Sequence, residues 1–333
     1  MGKKIVIILA SLFLACAVFI WGTYYYFCVK FSAPGPLSQA QIIKVKKRAS
    51  VKKIAALLED TGCVRSKTIF FYGTMLFQEK RSLKAGVYKI PAHATMQYIL
   101  EMLASGRVLV CDLTLPEGLT VEQAFSQIAS ADYLSGALPS PLPQEGSLLA
   151  DTIKCTYGQT RCSVVAQLIK AQQKLVEKIW QQRDETIPLK NSKELLIVAS
   201  LIQRESAKEE EYPLIAGVFY NRLQKNMRLQ SDPTVLYGIF GGAGKPSGRH
   251  IYRSDLQQQN PYNTYVIKGL PPSAIANPGK AALWAAAHPK KTKALYFVAD
   301  GQGGHIFSDT LEEHQQNVKE WRKIKEERKA EKQ

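Results

Sequence analysis

An uncharged segment near the N-terminus constrains the fold of this chain more than any other feature of its 333 residues. Residues 5–29 read IVIILASLFLACAVFIWGTYYYFCV and contain no charged side chain. A helix of about 20 apolar residues is long enough to cross a bilayer. Lys3 and Lys4 precede the segment, and Trp21 with three tyrosines crowds its far end, as in the aromatic belt of a membrane interface. The sequence therefore predicts a membrane-spanning helix.

A cleaved leader is the alternative to a permanent anchor. A signal peptide has a shorter apolar core, of about 7–15 residues, followed by a small-residue cleavage site, and no convincing site of that kind is visible here. The FLAC stretch ending at Cys16 resembles a lipoprotein signal, but the apolar run continues for thirteen residues beyond that cysteine. An uncleaved anchor is therefore the favoured interpretation.

The net charge of +16, from 44 basic and 28 acidic side chains, favours an anionic partner. Nucleic acid, a membrane surface and an anionic polymer all fit such a charge, but the apolar segment makes nucleic acid the weakest of the three.

The orientation in the membrane is less constrained, because basic residues flank the segment on both sides: Lys3 and Lys4 before it, and Lys30, Lys44, Lys46, Lys47 and Arg48 after it. Long domains translocate largely regardless of charge, so the bulk of the chain can lie outside the cell.

The rest of the chain divides into a small module and a larger region. A linker rich in proline and small residues, residues 30–41, precedes an αβ module over residues 42–106, where Thr95 is the predicted N-cap of the last helix and Gly106 its end. Residues 107–318 form the larger, mixed α and β region, and residues 319–333 are a charged tail. The fold class predicted from this pattern is α+β behind an N-terminal transmembrane helix.

One glutamate, Glu205, is set apart from the run Glu209–Glu211 that follows it. A helix is predicted to begin after Asn191 and to end at Pro213, with Leu195, Val198 and Ile202 along one face and Glu205 continuing that face. Burial raises the pKa of a carboxyl group, and a raised pKa suits a general acid near neutral pH. The alternative is a glutamate paired with an arginine, namely Arg204, Arg222 or Arg228. The other three glutamates are expected to be solvated.

Two segments after Glu205 are rich in amide, hydroxyl and aromatic side chains, as in a cleft that binds sugars. They read VFYNRLQKNMRLQSDPTVLYGI and QNPYNTYVIKGLPPSAIANPG. The residues predicted to line a cleft around Glu205 are Asn221, Arg228, Gln230, Asp232, Tyr237, Asn263, Thr264 and Tyr265. Asp232 precedes a proline, and a turn residue is an equally good interpretation of it.

Several other functional motifs are excluded. The GGAGKP stretch lacks the first glycine and the final serine or threonine of a phosphate-binding loop. Neither CxxC nor HExxH occurs, so a protein metal site has little support. His305 lies in a turn-rich stretch, where a structural hydrogen bond is the simplest role. Cys155 and Cys162 are close enough in sequence for a disulfide in an oxidising compartment, and two unbridged thiols are an equal alternative.

As a set, the motifs of the second half resemble the YceG-like endolytic murein transglycosylases. They are ASLIQRES, VFYNRL, MRLQSDPTVLYG, PYNTYVIKGLPPSAIANPG, AAAHPKKTKALYFVADGQGGHIFS and EEHQQNV, in the family's order across about 190–318. Upstream, LKAGVYKIP and LPEGLTVEQ resemble the family's LysM-like subdomain and its junction with the catalytic part. The resemblance therefore implies a LysM-like subdomain over 42–106 and a YceG-like catalytic domain over 107–318.

The resemblance also implies an activity. Members of the family are anchored in the bacterial inner membrane by a single span, with the catalytic domain in the periplasm, which leaves residues 1–4 in the cytoplasm. They cleave nascent peptidoglycan strands internally, between N-acetylmuramic acid and N-acetylglucosamine, and leave a 1,6-anhydro-muramic acid end. The glutamate that precedes serine or threonine is their catalytic acid and base, and it corresponds to Glu205. The implied partners are peptidoglycan strands, cytoplasmic-membrane lipids and peptidoglycan synthases, without a cofactor.

This sequence departs from the family pattern at a few positions. Gln203 stands where many members have an acidic residue, and EGSLLADTI at residues 145–153 replaces the usual EGxLxPDTY. Glu145 is retained in that stretch and is a further candidate site residue. Two other activities remain open: a non-catalytic peptidoglycan-binding scaffold, and an ordinary hydrolase that uses Glu205 with Asp232 or Glu145.

Overall fold

The computed structural model describes residues 2–77 and 82–330, and these fold into two compact units. The first unit contains residues up to 111 together with 154–158, and the second contains 112–153 and the residues from 159 onward. Helices and strands alternate irregularly in both units, and the strands that the structure describes form two-stranded sheets. The fold class is therefore mixed α+β, as predicted.

The first unit is built from helices α1–α4 and strands β1 and β2. Their bounds are α1 Gly2–Ser32, β1 Gln41–Val45, α2 Val51–Asp60, α3 Lys67–Phe77, β2 Gly86–Ile90 and α4 Met96–Ser105. Strands β3, Val110–Thr114, and β4, Thr152–Thr156, form the second sheet.

The second unit holds the remaining elements. They are α5 Val121–Ser130, α6 Arg161–Gln181, α7 Ser192–Glu205, α8 Tyr212–Gln224, α9 Asp232–Phe240, α10 Arg253–Gln257, α11 Lys280–Ala287, β5 Tyr296–Ala299, β6 His305–Ser308 and α12 Leu311–Ala330. Short 3-10 turns occupy Glu209–Glu211 and Gly241–Ala243. The charged tail, as far as Ala330, is the end of α12 and is helical.

Helix α1 is a candidate membrane span by length and composition, over Ile7–Ser32. Its side chains are exposed from residue 7 to residue 26, whereas Phe31 is buried among the core residues of the first unit. The helix is therefore longer than the predicted span and continues without a break into the folded part of the unit.

The core of the first unit follows from the sequence pattern. Ile43 and Val45 point into the core while Lys44 between them is exposed, which is the alternation expected of a strand with one buried face. Strand β1 runs antiparallel to β2, with Val45 opposite Gly86. Helix α4 begins at Thr95, whose hydroxyl accepts a hydrogen bond from the Tyr98 N–H at 3.1 Å, and it ends at Gly106 in the left-handed conformation. Both predicted boundaries of α4 are confirmed.

The core of the second unit is formed by α7, α8 and α11. Leu195, Val198 and Ile202 are fully buried on α7, as the periodicity predicts, and they pack with Phe219 of α8 and the alanines of α11. The small side chains of α11 allow the backbones of these helices to approach closely. The Asn191 side chain caps α7 by accepting a hydrogen bond from the Glu194 N–H at 3.0 Å, so the predicted start of this helix is confirmed.

The predicted end of that helix is wrong. Helix α7 stops at Glu205, and Ser206 has an extended backbone, with φ −131° and ψ 149°. Glu209–Glu211 form a separate 3-10 turn, and Pro213 lies in the first turn of α8 rather than after the last turn of α7. Proline is tolerated in a first helical turn, because the N–H group that it lacks has no partner there. Glu205 is therefore the last helical residue of α7.

Candidate active site

The Glu205 carboxyl is half-buried at the end of α7, one turn beyond the fully buried Ile202. The Ser231 hydroxyl donates a short hydrogen bond to its Oε1 atom. The pKa of Glu205 is raised to about 7, and burial is the main cause. The negative charge of Asp232 acts in the same direction, while the Ser231 hydrogen bond and the positive charge of Arg222 oppose the rise. A carboxyl group in this state is partly protonated at neutral pH, so it can both donate and accept a proton.

Ser231 is positioned by two buried threonines. Its N–H donates to the Thr264 hydroxyl oxygen at 2.9 Å, and its carbonyl accepts from the Thr234 hydroxyl at 2.6 Å. The two threonine hydroxyls are 2.8 Å apart. Gln230, just before Ser231, has a positive φ of 52°, which turns the chain sharply into α9. The observed contacts of Thr264 help to position Ser231 beside Glu205, and its predicted place in the cleft stays a prediction.

Asp232 follows Ser231 and begins α9, with its side chain exposed. The Tyr265 hydroxyl donates a hydrogen bond to Asp232 Oδ1 at 2.7 Å. Burial and the Asp232 charge raise the pKa of Tyr265, so the phenol stays a donor. The structure thus places three of the predicted residues, Glu205, Asp232 and Tyr265, near one another. Asp232 directly follows the serine that donates to Glu205, and Tyr265 donates to Asp232.

Arg222 of α8 is a buried cation that the sequence reasoning weighed only as an ion-pair partner of Glu205. Its side chain is 6% exposed, and its guanidinium donates to the carbonyl of Leu295 at 2.6 Å and of Leu229 at 2.8 Å. It also donates to the Gln230 side-chain oxygen at 3.3 Å. Arg222 therefore fixes the loop that leads into Ser231, and its charge favours the ionised form of Glu205.

Glu145 and Tyr237 form a second polar group in the same unit. Glu145 accepts a hydrogen bond from the Val121 N–H at 2.6 Å, in the first turn of α5, and one from the Tyr237 hydroxyl at 3.2 Å. Burial raises the pKa of Glu145, although these hydrogen bonds oppose the rise. The ring of Tyr262 packs edge-on against Tyr237, with centroids 4.9 Å apart. Helix α9 connects the two groups, because it carries Asp232 at its start and Tyr237 further along.

Four of the predicted cleft residues have other surroundings. The Asn221 amide donates to the carbonyls of Thr292 and Ala294, each at 2.9 Å, and so holds the chain just before β5. Asn263 is 1% exposed, and its amide donates to three carbonyls between residues 255 and 258. Arg228 and Gln230 are exposed, next to the loop that Arg222 fixes. Contact of these side chains with a substrate stays a prediction.

Glu211 is not solvated, contrary to the expectation for the three-glutamate run, whereas Glu209 and Glu210 are exposed. Glu211 Oε2 accepts from the Ser206 hydroxyl at 2.8 Å and lies 2.7 Å from His305 Nδ1, and Oε1 accepts from the His305 N–H at 2.8 Å. Burial would raise the pKa of Glu211, but the hydrogen bonds from His305 and Ser206 hold it below its usual value. The predicted structural hydrogen bond of His305 is confirmed. It holds Glu211, which in turn accepts a hydrogen bond from Ser206, the residue that follows Glu205.

Two residues of the site, Ser231 and Arg222, were missed as such by sequence reasoning. Ser231 lies in the polar stretch LQSDPT, which the sequence analysis assigned to the cleft. Serine beside an aspartate and a proline is nevertheless most often a turn residue, so Ser231 itself was not predicted. Arg222 carried no signal of burial, because arginine is mostly exposed.

The fold and the site define a class: an α+β protein with a half-buried carboxyl group of raised pKa at a helix end, close to a second, exposed carboxyl group. Within that class the chain belongs to the YceG-like family, whose model matches residues 43–320. A crystal structure of a yceG-like protein from Listeria monocytogenes is similar to this chain, with 27% identity and a TM-score of 0.52. The match covers 84% of this chain and 99% of that one.

Curated relatives in two organisms carry one name. A protein of Bacillus subtilis (strain 168) named endolytic murein transglycosylase is 31% identical over 307 residues, and the match covers 82% of each chain. An endolytic murein transglycosylase of Streptococcus pneumoniae serotype 2 (strain D39) is 28% identical over 319 residues. That match covers 84% of this chain and 58% of the longer streptococcal protein.

Proposed function

We propose that this chain is an endolytic peptidoglycan lytic transglycosylase in which Glu205 is the general acid and base. The observation that carries the proposal is the Glu205 carboxyl at the end of α7, whose pKa is raised to about 7 by burial. The names of the relatives, which are endolytic murein transglycosylases, support the choice of substrate. The bond cleaved is the β-1,4 bond between N-acetylmuramic acid and N-acetylglucosamine.

The proposed reaction needs one carboxyl group, whereas glycoside hydrolases usually need two. Protonated Glu205 gives its proton to the leaving glycosidic oxygen as the bond from that oxygen to C1 of the muramic acid breaks. The resulting carboxylate takes the proton of the C6 hydroxyl of the same sugar as its oxygen bonds to C1. The product is a 1,6-anhydro-muramic acid end, no water is consumed, and Glu205 returns to its protonated form.

The surroundings of Glu205 support this cycle. A group that first donates and then accepts a proton works best when its pKa is near the working pH, and the opposing effects of burial, Asp232, Ser231 and Arg222 keep Glu205 there. Asp232 is exposed and oriented by Tyr265, so in the proposal its carboxylate faces the positive charge that develops at C1. Electrostatic stabilisation of that kind is often the largest contribution to catalysis.

The substrate-binding set belongs to the proposal as well. Besides Asp232 and Tyr265, it includes Asn221, Arg228, Gln230, Tyr237, Asn263, Thr264 and Glu145. For Asn221, Asn263 and Thr264 the hydrogen bonds described above favour a supporting role behind the cleft. Arg228 and Gln230 are exposed and are the better candidates for direct contact with sugar hydroxyls or peptide carboxylates.

The proposed topology places residues 5–29 across the bacterial inner membrane, residues 1–4 in the cytoplasm and the remainder in the periplasm. Peptidoglycan lies on that side, so a cytoplasmic catalytic domain has no substrate. The proposed division is a linker over 30–41, a LysM-like subdomain over 42–106, a catalytic domain over 107–318 and a tail over 319–333. Inner-membrane lipids and peptidoglycan synthases are the proposed partners besides the glycan strands.

Digestion of purified peptidoglycan followed by mass analysis of the products tests the function. We expect internal cleavage products whose muramic acid ends lack one water relative to reducing ends, and we expect Glu205→Gln to abolish them. Reducing ends would instead indicate a hydrolase that uses Asp232 or Glu145 as its second carboxylate, and intact strands would indicate a binding scaffold. Glu209→Gln is the matched control, because Glu209 is exposed in the same segment, and it should cleave normally.

A further inference from the structure

The tip of α3 carries an apolar surface that the folded unit leaves uncovered. Tyr72, Met75 and Leu76 are 54%, 66% and 59% exposed and lie at spacings of three and four residues, so they share one face of the helix. Phe77 at the end of α3 is 45% exposed. Phe70, Gly73 and Thr74 lie on the opposite, buried face. Adjacent exposed apolar side chains of this kind mark an interaction surface.

This α3 tip is fixed against α1, the candidate membrane span. The Phe77 ring stacks on Phe31 and Phe27 of α1, with centroid distances of 5.3 and 6.4 Å. Gly73 allows the two helices to approach closely, because a Cβ atom at this position would lie 2.2 Å from the Phe31 ring. The position of the α3 tip along α1 is therefore determined by packing.

With residues 5–29 as the proposed span, that position falls at the calculated edge of the hydrocarbon core. The uncharged segment, residues 5–29, has its midpoint at residue 17, and half of a hydrocarbon core of about 30 Å corresponds to about ten helical residues. The core then ends near Phe27, which is one of the two residues that Phe77 stacks on. Tyr26 and Lys30 mark the same level, with the Lys30 ammonium 5.5 Å from the Tyr26 ring, as expected of interfacial aromatic and basic side chains.

We infer that the α3 tip, formed by Tyr72, Met75, Leu76 and Phe77, is a second membrane contact that inserts into the headgroup region beside α1. A single span leaves the attached unit free to tilt, whereas a second apolar contact beside it fixes the unit's orientation on the bilayer. This inference rests on the membrane anchor of the proposed function. Its occupant is phospholipid, because the surface is continuous with a helix whose side chains are exposed over residues 7–26.

A groove next to the tip is consistent with a lipid neighbour. It has a volume of about 820 Å³ and lies between the end of α1, the tip of α3 and α4, with Phe31, Leu76, Leu100 and Arg107 among its lining residues. Glu101 also lines it, so the groove is not uniformly basic. Its lining mixes apolar side chains with polar ones such as Gln97, and the Arg107 cation suits a phospholipid phosphate group.

Photocrosslinking of the full chain in phosphatidylcholine–phosphatidylglycerol nanodiscs tests the inference. The photoreactive amino acid p-benzoylphenylalanine replaces Leu76 in one protein, Tyr26 of α1 in a second and Ile42 of β1 in a third. Ile42 is the matched control, because it is an aliphatic side chain of the same unit, 50% exposed, on a strand that pairs with β2. After irradiation, the mass of each intact chain is measured.

We expect a mass increase of one phospholipid at positions 26 and 76 and no increase at position 42. Adducts at 26 but not at 76 would overturn the inference while leaving the anchor intact. A covalent dimer formed through position 76 would show that a second copy of the chain covers the surface. Lipid adducts of equal yield at position 42 would show that the lipid contact is unspecific. Either result would overturn the inference. Failure at position 26 would remove the anchor itself, and the α3 contact with it, without bearing on cleavage by Glu205.

Discussion

Replacement of Glu205 by glutamine should stabilise the fold above neutral pH while it abolishes cleavage. The folded-state pKa of Glu205 is about 7 against an ordinary value of 4.5, and burial is the main cause. Between these values the folded state binds more protons than the unfolded state, so stability is lost as the pH rises through about 7. Below pH 4.5 the carboxyl group is neutral in both the folded and the unfolded state, so its burial as a charge does not lower the stability of the fold. Glutamine is neutral at every pH.

The size of the effect follows from the two pKa values. The difference between about 7 and 4.5 corresponds to about 3 kcal/mol at 1.36 kcal/mol per pKa unit. Glu205→Gln should therefore increase the free energy of unfolding by about 3 kcal/mol well above pH 7 and leave it nearly unchanged below pH 4.5. Glutamine keeps an oxygen that can accept the Ser231 hydrogen bond, so no buried hydroxyl loses its partner.

Denaturant unfolding of the full chain in detergent, followed by tryptophan fluorescence, measures this difference. Trp180, Trp284 and Trp321 all belong to the second unit, so the signal reports chiefly on the unit that contains Glu205. Glu209→Gln is the control. Its free energy of unfolding should differ from that of the wild type by the same small amount well above pH 7 and below pH 4.5. A Glu205→Gln protein that is no more stable than the wild type above pH 7 would refute the assignment of a costly buried charge.

Three further variants test the groups around Glu205 and the chain that leaves it. Ser231→Ala removes a hydrogen bond that favours the carboxylate, so the alkaline limb of the pH profile of kcat/KM should move upward by about one pKa unit or more. Asp232→Asn removes a charge that raises the Glu205 pKa, so the same limb should move downward, with kcat reduced. Glu211→Gln should lower the free energy of unfolding by about 1–3 kcal/mol near neutral pH. The folded-state pKa of Glu211 is lowered, so its carboxylate stabilises the fold at neutral pH. As the pH falls through that pKa, Glu211 of the wild type becomes protonated, and the difference in stability between the two proteins should disappear.

Opposite results would contradict these assignments. An unchanged alkaline limb in Ser231→Ala would mean that the hydrogen bond does not tune Glu205, and an upward shift in Asp232→Asn would reverse the sign of the charge interaction. Ser130→Ala is the control for Ser231→Ala, because Ser130 is exposed and its hydroxyl donates to the Gln127 carbonyl rather than to Glu205. A Glu211→Gln loss of stability that persists unchanged in acid would point to packing rather than to the pair with His305.

The starts of helices were predictable from the sequence because local chemistry determines them. Asn191 caps α7 and Thr95 caps α4 through hydrogen bonds that span three residues, and the buried face of α7 follows from the periodicity of its apolar side chains. The end of α7 was not predictable from Pro213, because proline suits both the position after a helix and the first turn of the next one. In the structure, Glu211 of the turn between the two helices is held by His305, which lies 94 residues further along the chain, and no local sequence signal reveals that contact.

The partial burial of Glu205 was predictable from the sequence, and Arg222 was one of its three candidate partners, whereas Ser231 was not predicted. Burial raises the pKa of Glu205, as expected for a carboxyl group that continues a buried face. Ser231 and Arg222 lie 26 and 17 residues further along the chain, and only the tertiary fold brings them to Glu205. The same holds for Asn263, whose polar side chain suggested a sugar contact although the fold uses it to bind three carbonyls.

The corrected end of α7 changes the reason why Glu205 is suited to acid–base chemistry. A carboxyl in the last turn of a helix lies near the unpaired carbonyl groups and the negative end of the helix dipole, which disfavour its ionised form. Burial and the Asp232 charge act in the same direction, and the Ser231 hydrogen bond and Arg222 act against them. Had α7 continued to Pro213, another two turns of helix would cover the carboxyl and pair those carbonyls. The break at Ser206 therefore leaves Glu205 open to a substrate and helps to hold its pKa near neutrality, where one group can serve as both acid and base.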